Sequence, residues 1–223
     1  MDVIGSYKMI SKIFIIHYTK LKERKIFLLN HLPLLFPNIP IEFIEEFDQE
    51  VLEEKQINQI IDLQKFNERF CRNMKISEIS LAFKYKEALK RAANESGEYF
   101  LILEDDIIFK EFPLIYIEKI FKKCYFEDID FDCIFLGEAG LRVGDDRDIF
   151  FKKEYPATNG MCTVLYKKNA ILKMLDGLEK EKISQPIDFE FNDRFEKMKF
   201  NVYWGKAITR HGSVIGKYKS SLR

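Results

Sequence analysis

Residues 99–110 read YFLILEDDIIFK: an apolar run passes straight into Glu104, Asp105 and Asp106 and then turns apolar again. A β-branched and aromatic run of this kind is a buried strand. An ionised carboxylate buried without a partner costs several kcal/mol, so consecutive acids between core-like segments demand a counter-charge or access to water. The acids stand at the carboxyl end of their strand, where open α/β sheets place the ligand crevice. The side-chain period of two sends Glu104 and Asp106 to one face and Asp105 to the other. A bound divalent cation is one answer to this charge; a hydrated acidic turn is the other.

The rest of the chain alternates short apolar strands with helices. KIFIIH at 12–17, residues 39–43 and FDCIFL at 131–136 are strands of the buried type, and further strands fall within 157–166, 201–204 and 207–209. Between them lie a helix that Pro33 ends, a loosely periodic helical stretch at 51–70, and a helix capped by Ser77 that carries Leu81, Tyr85, Ala88 and Ala92 on one face. Helices at 113–125, 169–178 and 186–195 complete the pattern. It predicts an α/β, three-layer, Rossmann-like fold with a mostly parallel central sheet, in one domain over residues 1–223.

Charge narrows the partners. Lys+Arg and Asp+Glu are both 36, so no global field recruits nucleic acid or an anionic membrane. No apolar run has the length of a membrane span or a signal peptide, which predicts a soluble, cytoplasmic protein. The four cysteines show no C-x-x-C spacing and read as reduced thiols. Neither G-x-G-x-x-G nor a P-loop is present, and no Ser or Cys sits in an elbow motif. Asp128, Asp130 and Asp132 precede their strand rather than follow it, so they form a solvated turn at the end away from the crevice. Asp145, Asp146 and Asp148 belong to a hydrated loop or to a lid. His31 belongs on a helix surface, whereas His17 ends the first strand on the crevice side and His211 lies in the tail.

Several segments taken in order resemble glycosyltransferase family 25, which contains lipopolysaccharide sugar transferases and collagen galactosyltransferases. They are KIFIIHYTKLKERK, YFLILEDDIIF, FDCIFLGE, ATNGMCTVLYKKNAILKML, QPIDFEF and HGSVIGKYKSSLR, and together they cover the chain from about Lys12 to its end. Where the family has Asn at the end of the first strand this chain has His17, and where it carries Gly-Cys and Ser-His this chain has Ser80-Leu81 and Lys84-Tyr85. The resemblance implies a GT-A-like fold whose first half, to about residue 110, binds a nucleotide sugar and whose second half faces the acceptor. It also implies a hexose, galactose or glucose, moved from a UDP-sugar to a hydroxyl of a glycan, lipopolysaccharide or protein, with inversion and with Mn²⁺ (or Mg²⁺). Oxygen ligands suit either ion, and an added imidazole favours Mn²⁺. Asp106 and His211 are then the metal ligands. Glu104 and Asp105 contact metal or donor, and His17, Thr19 and Arg24 hold the nucleotide. Asp188 is the catalytic base, with Glu190 in reserve. A non-catalytic nucleotide-sugar-binding or interaction protein is the alternative on the same fold.

Overall fold

The computed structural model describes residues 10–110, 112–138, 160–213 and 215–218, together with the backbone of 150–152. Its elements, in chain order, are β1 (Ile10–Ile16), α1 (Lys22–Leu35), β2 (Ile41–Ile44), α2 (Glu54–Ile60), α3 (Leu63–Phe70) and α4 (Ile76–Asn94). Then come β3 (Tyr99–Glu104), β4 (Ile107–Phe109), α5 (Pro113–Phe126), β5 (Cys133–Glu138) and β6 (Phe150–Lys152). The chain ends with β7 (Thr163–Lys167), α6 (Lys168–Lys180), α7 (Ile187–Lys197) and β8 (Val202–His211).

One eight-stranded sheet runs β2-β1-β3-β7-β5-β8-β4, with β6 added on β8. The α/β layering expected from the sequence is present, and the sheet is mixed. β1 is parallel to β2 and β3, and β5 to β8, while β7 runs antiparallel between β3 and β5, as do β4 and β6 against β8. Strands covered on both faces are apolar throughout, so their pattern carries no sign of direction.

The pleat separates two cores. Phe14, Ile102, Phe135, Val164 and Trp204 face a cluster built with α4, α6 and α7. Ile15, Leu103, Leu136 and Leu165 face the other cluster, built with α1 and α5. The helices differ locally from the sequence reading. Pro33 lies inside the last turn of α1, which runs on to Leu35 before ending, at the cost of one i→i−4 hydrogen bond. α4 begins at Ile76 and not after a Ser77 cap; the Glu78 carboxylate accepts from the Lys75 N–H at 2.8 Å. The 51–70 stretch is two helices, broken where Ile61 pairs with Ile183.

The two tail strands expected at 201–204 and 207–209 form one strand, β8. Its pairing with β5 jumps from Phe135–Trp204 to Gly137–Thr209, so surplus residues bend it. Beyond the bend it pairs with β4, setting His211 opposite Ile107. The four cysteines are free, three of them buried and Cys71 exposed. Asp145, Asp146, Asp148 and Lys219 lie outside the described residues.

Candidate metal and nucleotide site

Glu104 ends β3, and Asp105 and Asp106 form the turn into β4. The pleat divides them. Glu104 continues the Phe100–Ile102 face toward α4, where the Tyr85 hydroxyl lies 2.8 Å from its Oε1 and 3.0 Å from the carbonyl oxygen of Met161. Tyr85 is fully buried, and burial together with the Glu104 charge pushes its hydroxyl well above the usual range, so it stays a proton donor. Asp105 turns toward α1 and is fully partnered. His17 Nδ1 lies 2.7 Å from its Oδ2, Arg24 donates to Oδ1 at 2.7 Å, and the Tyr18 N–H donates to Oδ2 at 3.2 Å. Burial alone would raise this carboxyl; the His17 hydrogen bond and the Arg24 charge outweigh it and hold it below the ordinary range.

Asp106 has no such compensation. It is 6% exposed, Arg24 is 4.0 Å away, and Oδ1 has no hydrogen-bond partner among the described residues. Burial, then the charge of Glu104, pushes its carboxyl up to about 6. His211 arrives from the bent β8, with Nδ1 3.4 Å from Asp106 Oδ2 and Nε2 3.7 Å from Glu104 Oε2. Ser213 Oγ lies 2.8 Å from the same Nδ1. Burial opposes the imidazolium, but Glu104 and Asp106 outweigh burial and raise it. Gly212 makes this approach possible. Its N–H donates to the Asp106 carbonyl at 2.5 Å, and a Cβ there would stand 2.6 Å from that oxygen and 2.4 Å from the Tyr218 ring.

Glu104, Asp106 and His211 offer one oxygen, one oxygen and one nitrogen within 4.8 Å of one another. Two carboxylates and an imidazole fit a divalent cation with mixed oxygen and nitrogen preference, such as Mn²⁺. The unpartnered buried Oδ1 of Asp106 is what such an ion would satisfy.

Beside the triad opens a cleft of about 630 Å³, lined by His17, Tyr18, Arg24, Gln49, Ser77 and Leu81 among others. Its floor holds a second buried charge pair. Lys84 Nζ is 2.6 Å from Asp48 Oδ1 and 2.6 Å from the His17 carbonyl. Asp48 Oδ2 in turn accepts from the Thr19 N–H at 3.2 Å and from the Thr19 hydroxyl. The turn after β1 is thus clamped twice, through Asp105 and through Asp48.

No protein-family model matches the chain, and no curated protein matches it. Among solved structures it is similar to the crystal structure of a glycosyltransferase involved in the glycosylation of the major capsid of PBCV-1, with 13% sequence identity, 90% of this chain and 92% of that chain covered, and a TM-score of 0.41.

The structure gathers His17, Arg24, Glu104, Asp105, Asp106 and His211 around one cleft. Thr19 sits at its rim on Asp48. Asp188, in the first turn of α7, lies within the field of Glu104; burial, then backbone hydrogen bonding acting against it, then that charge leave its carboxyl raised. Glu190 lies elsewhere. Its Oε1 is held by Arg194 at 2.7–2.8 Å and its Oε2 by the Ser184 N–H at 3.0 Å. Arg210 points to Glu138 at 3.1 Å, and Lys217 Nζ lies 4.4 Å from the centre of the Phe27 ring. Sequence reasoning marked Lys84-Tyr85 as a departure from the family pattern without assigning either a role, and missed Asp48. The lysine beside an apolar helical stripe was the available signal. Asp48, inside an acidic stretch, gave none.

Asp130 pairs with Lys167 at 2.8 Å, and Asp132 accepts from the Asn201 N–H at 2.8 Å, both at the amino end of β5. Among the described residues no helix is long and apolar enough to cross a membrane.

Proposed function

We propose that this protein is a metal-dependent glycosyltransferase that moves a hexose, galactose or glucose, from a UDP-sugar to an acceptor hydroxyl with inversion. One observation carries the reading: of three consecutive acids, Asp105 is held by His17 and Arg24 at 2.7 Å, while Glu104 and Asp106 face His211 at 3.4–3.7 Å, with Arg24 no nearer to Asp106 than 4.0 Å. Two acids at a strand's carboxyl end, with fixed positive charge only at long range, suit a divalent ion. Bound by Glu104, Asp106 and His211, Mn²⁺ or Mg²⁺ would offset the charge that grows on the departing diphosphate.

The chain's own residues do the rest. Tyr85 fixes the Glu104 carboxylate, and Gly212 fixes the approach of His211. Arg24 and His17 hold Asp105, and with Asp48 they set the 17–19 turn for the nucleotide. Asp188 takes the proton of the acceptor hydroxyl as its oxygen bonds to the sugar carbon and the bond to the diphosphate oxygen breaks. A raised carboxyl pKa makes Asp188 a better base. Glu190 is already committed to Arg194. Residues to about 110 then serve the nucleotide, joined by His211 from the tail, and the rest of the chain after 110 serves the acceptor.

The test is incubation with UDP-galactose or UDP-glucose, with and without Mn²⁺. Mn²⁺-dependent UDP release supports the reading. Binding without release marks a nucleotide-sugar-binding protein, and release of pyrophosphate or inorganic phosphate marks a different enzyme class.

A further inference from the structure

His211 is the last residue of β8, and a strand end frays unless the chain beyond it is tied down. Here it is tied. The Gly212 N–H donates to the Asp106 carbonyl, and the Gly212 carbonyl accepts from the Lys217 N–H at 2.8 Å and the Tyr218 N–H at 3.2 Å. The chain thus doubles back onto the residue that follows the imidazole. Gly216 permits the reversal with a φ of +77°, in the left-handed region that residues with a Cβ rarely adopt. The Tyr218 ring is laid against Gly212, where a Cβ would stand 2.4 Å from its Cδ2 and 3.0 Å from its Cε2.

The returning segment lands on α1. Arg24, Phe27 and His31 fall within about 60° of one another around that helix. The Arg24 guanidinium lies 5.1 Å from the centre of the Tyr218 ring, the Lys217 ammonium lies 4.4 Å from the centre of the Phe27 ring, and Phe27 stacks on His31 at 4.0 Å. Both cations are close enough for the negative face of the ring to attract them. Arg24 is shared between the tail and the acidic turn, since it also donates to Asp105 Oδ1 at 2.7 Å and stands 4.0 Å from Asp106 Oδ2. A guanidinium can do both at once, because it donates from its edge while its flat face stacks on a ring.

We propose that Tyr218 is a positioning residue for the metal ligand His211. Docked on Arg24, it straps the end of β8 to α1, so that the guanidinium holding Asp105 also fixes, through Tyr218 and Gly212, the angle at which the imidazole meets Glu104 and Asp106. This rests on the metal site of the reading above and adds that the site is complete only when the tail is docked. A cation on His211 and a docked tail then stabilise one another, since a ligand that binds only the docked form shifts the equilibrium toward it. The ring makes these contacts, so phenylalanine at position 218 should serve as well as tyrosine, and alanine should not.

The test titrates Mn²⁺ into the full chain by calorimetry, alone and in the presence of UDP, for wild type, Tyr218→Ala, Tyr218→Phe and Lys217→Ala, with melting in EDTA as the control for the fold. Tyr218→Ala should weaken Mn²⁺ binding about tenfold and Lys217→Ala a few-fold, while Tyr218→Phe stays within about twofold of wild type. If Tyr218→Ala melts lower than wild type in EDTA, Lys217→Ala decides. The deciding comparison for the route is Tyr218→Ala combined with His211→Ala, whose residual Mn²⁺ affinity should equal that of His211→Ala alone, because the strap acts through the imidazole. Wild-type affinity in both Tyr218→Ala and Lys217→Ala, an equal loss in Tyr218→Phe and Tyr218→Ala, or a loss that persists undiminished in the His211→Ala background overturns the strap and leaves the metal site standing. Mn²⁺ affinity that His211→Ala does not change, or no Mn²⁺ binding by wild type under either condition, overturns the metal ligand and the strap together.

Discussion

His211 Nδ1 lies 3.4 Å from Asp106 Oδ2, although the two residues stand 105 positions apart in the chain. They meet because β8, bent where it slips register on β5, pairs antiparallel with β4 and sets His211 opposite Ile107. The site is therefore assembled by strand pairing, and it holds more negative charge than its own cations balance.

That excess makes Asp106 a cost to the metal-free fold. Asp106→Asn removes one buried charge that Glu104 repels, so the metal-free variant should melt higher than wild type, by roughly 2–4 °C for each kcal/mol of relief. Mn²⁺-dependent UDP release should fall by about a hundredfold or more. Thermal melting in EDTA and a UDP-release assay check both; a lower melting point with retained Mn²⁺-dependent turnover defeats the assignment.

The pH dependence follows from the same two groups. Asp106 titrates near 6 instead of 3.8 in the folded protein, and His211 is raised above 6.5. Both folded values lie above the unfolded ones, so each group stabilises the fold at low pH, and that contribution is lost as pH rises through the folded value. The metal-free wild type should thus lose stability relative to Asp106→Asn between about pH 4 and pH 7. A cation must displace both protons, so Mn²⁺ affinity should drop by about tenfold or more from pH 7.5 to pH 5.5, with proton release on binding. Calorimetry in buffers of different ionisation enthalpy measures both.

His211→Ala separates a ligand from a surface histidine. The side chain is half-buried and its hydrogen bond is to nearby Ser213, so the metal-free protein should lose no more than about 1 kcal/mol. The extra stabilisation that UDP gains from Mn²⁺ should shrink sharply. Unchanged Mn²⁺ affinity of the nucleotide complex, by titration calorimetry, would return the residue to a structural role.

Lys84 is expected to carry stability as well as position. Lys84→Met leaves Asp48 and the His17 carbonyl buried without their cation, a loss of about 3–5 kcal/mol. Adding Asp48→Leu should recover part of it while the donor turn stays loosened, because Thr19 also loses its acceptor. Urea unfolding of the single and double variants reads the coupling.

At the other end of the sheet, Asp130→Asn should cost about 0.5 kcal/mol or less, since that carboxylate is largely exposed beside Lys167. Asp132→Asn should cost about 1 kcal/mol, through its bond to the Asn201 N–H. Neither should change UDP release more than a few-fold. Loss of metal binding in the double variant would contradict the strand polarity.

The sequence by itself determined the α/β layering, the strand that ends in acids, and the division of those acids between faces. These are local consequences of side-chain period, and the pleat does send Glu104 toward Tyr85 and Asp105 toward Arg24. It also placed Asp130 and Asp132 at the amino end of their strand, because order along the chain fixes which end is which. Only the tertiary structure decided that β7 runs antiparallel, that Glu190 is tied to Arg194, and that Lys84 with Asp48 clamps the turn after β1. Each of these depends on pairing between segments far apart in the chain, and a doubly buried strand or an acid within an acidic stretch has no local pattern that names its partner.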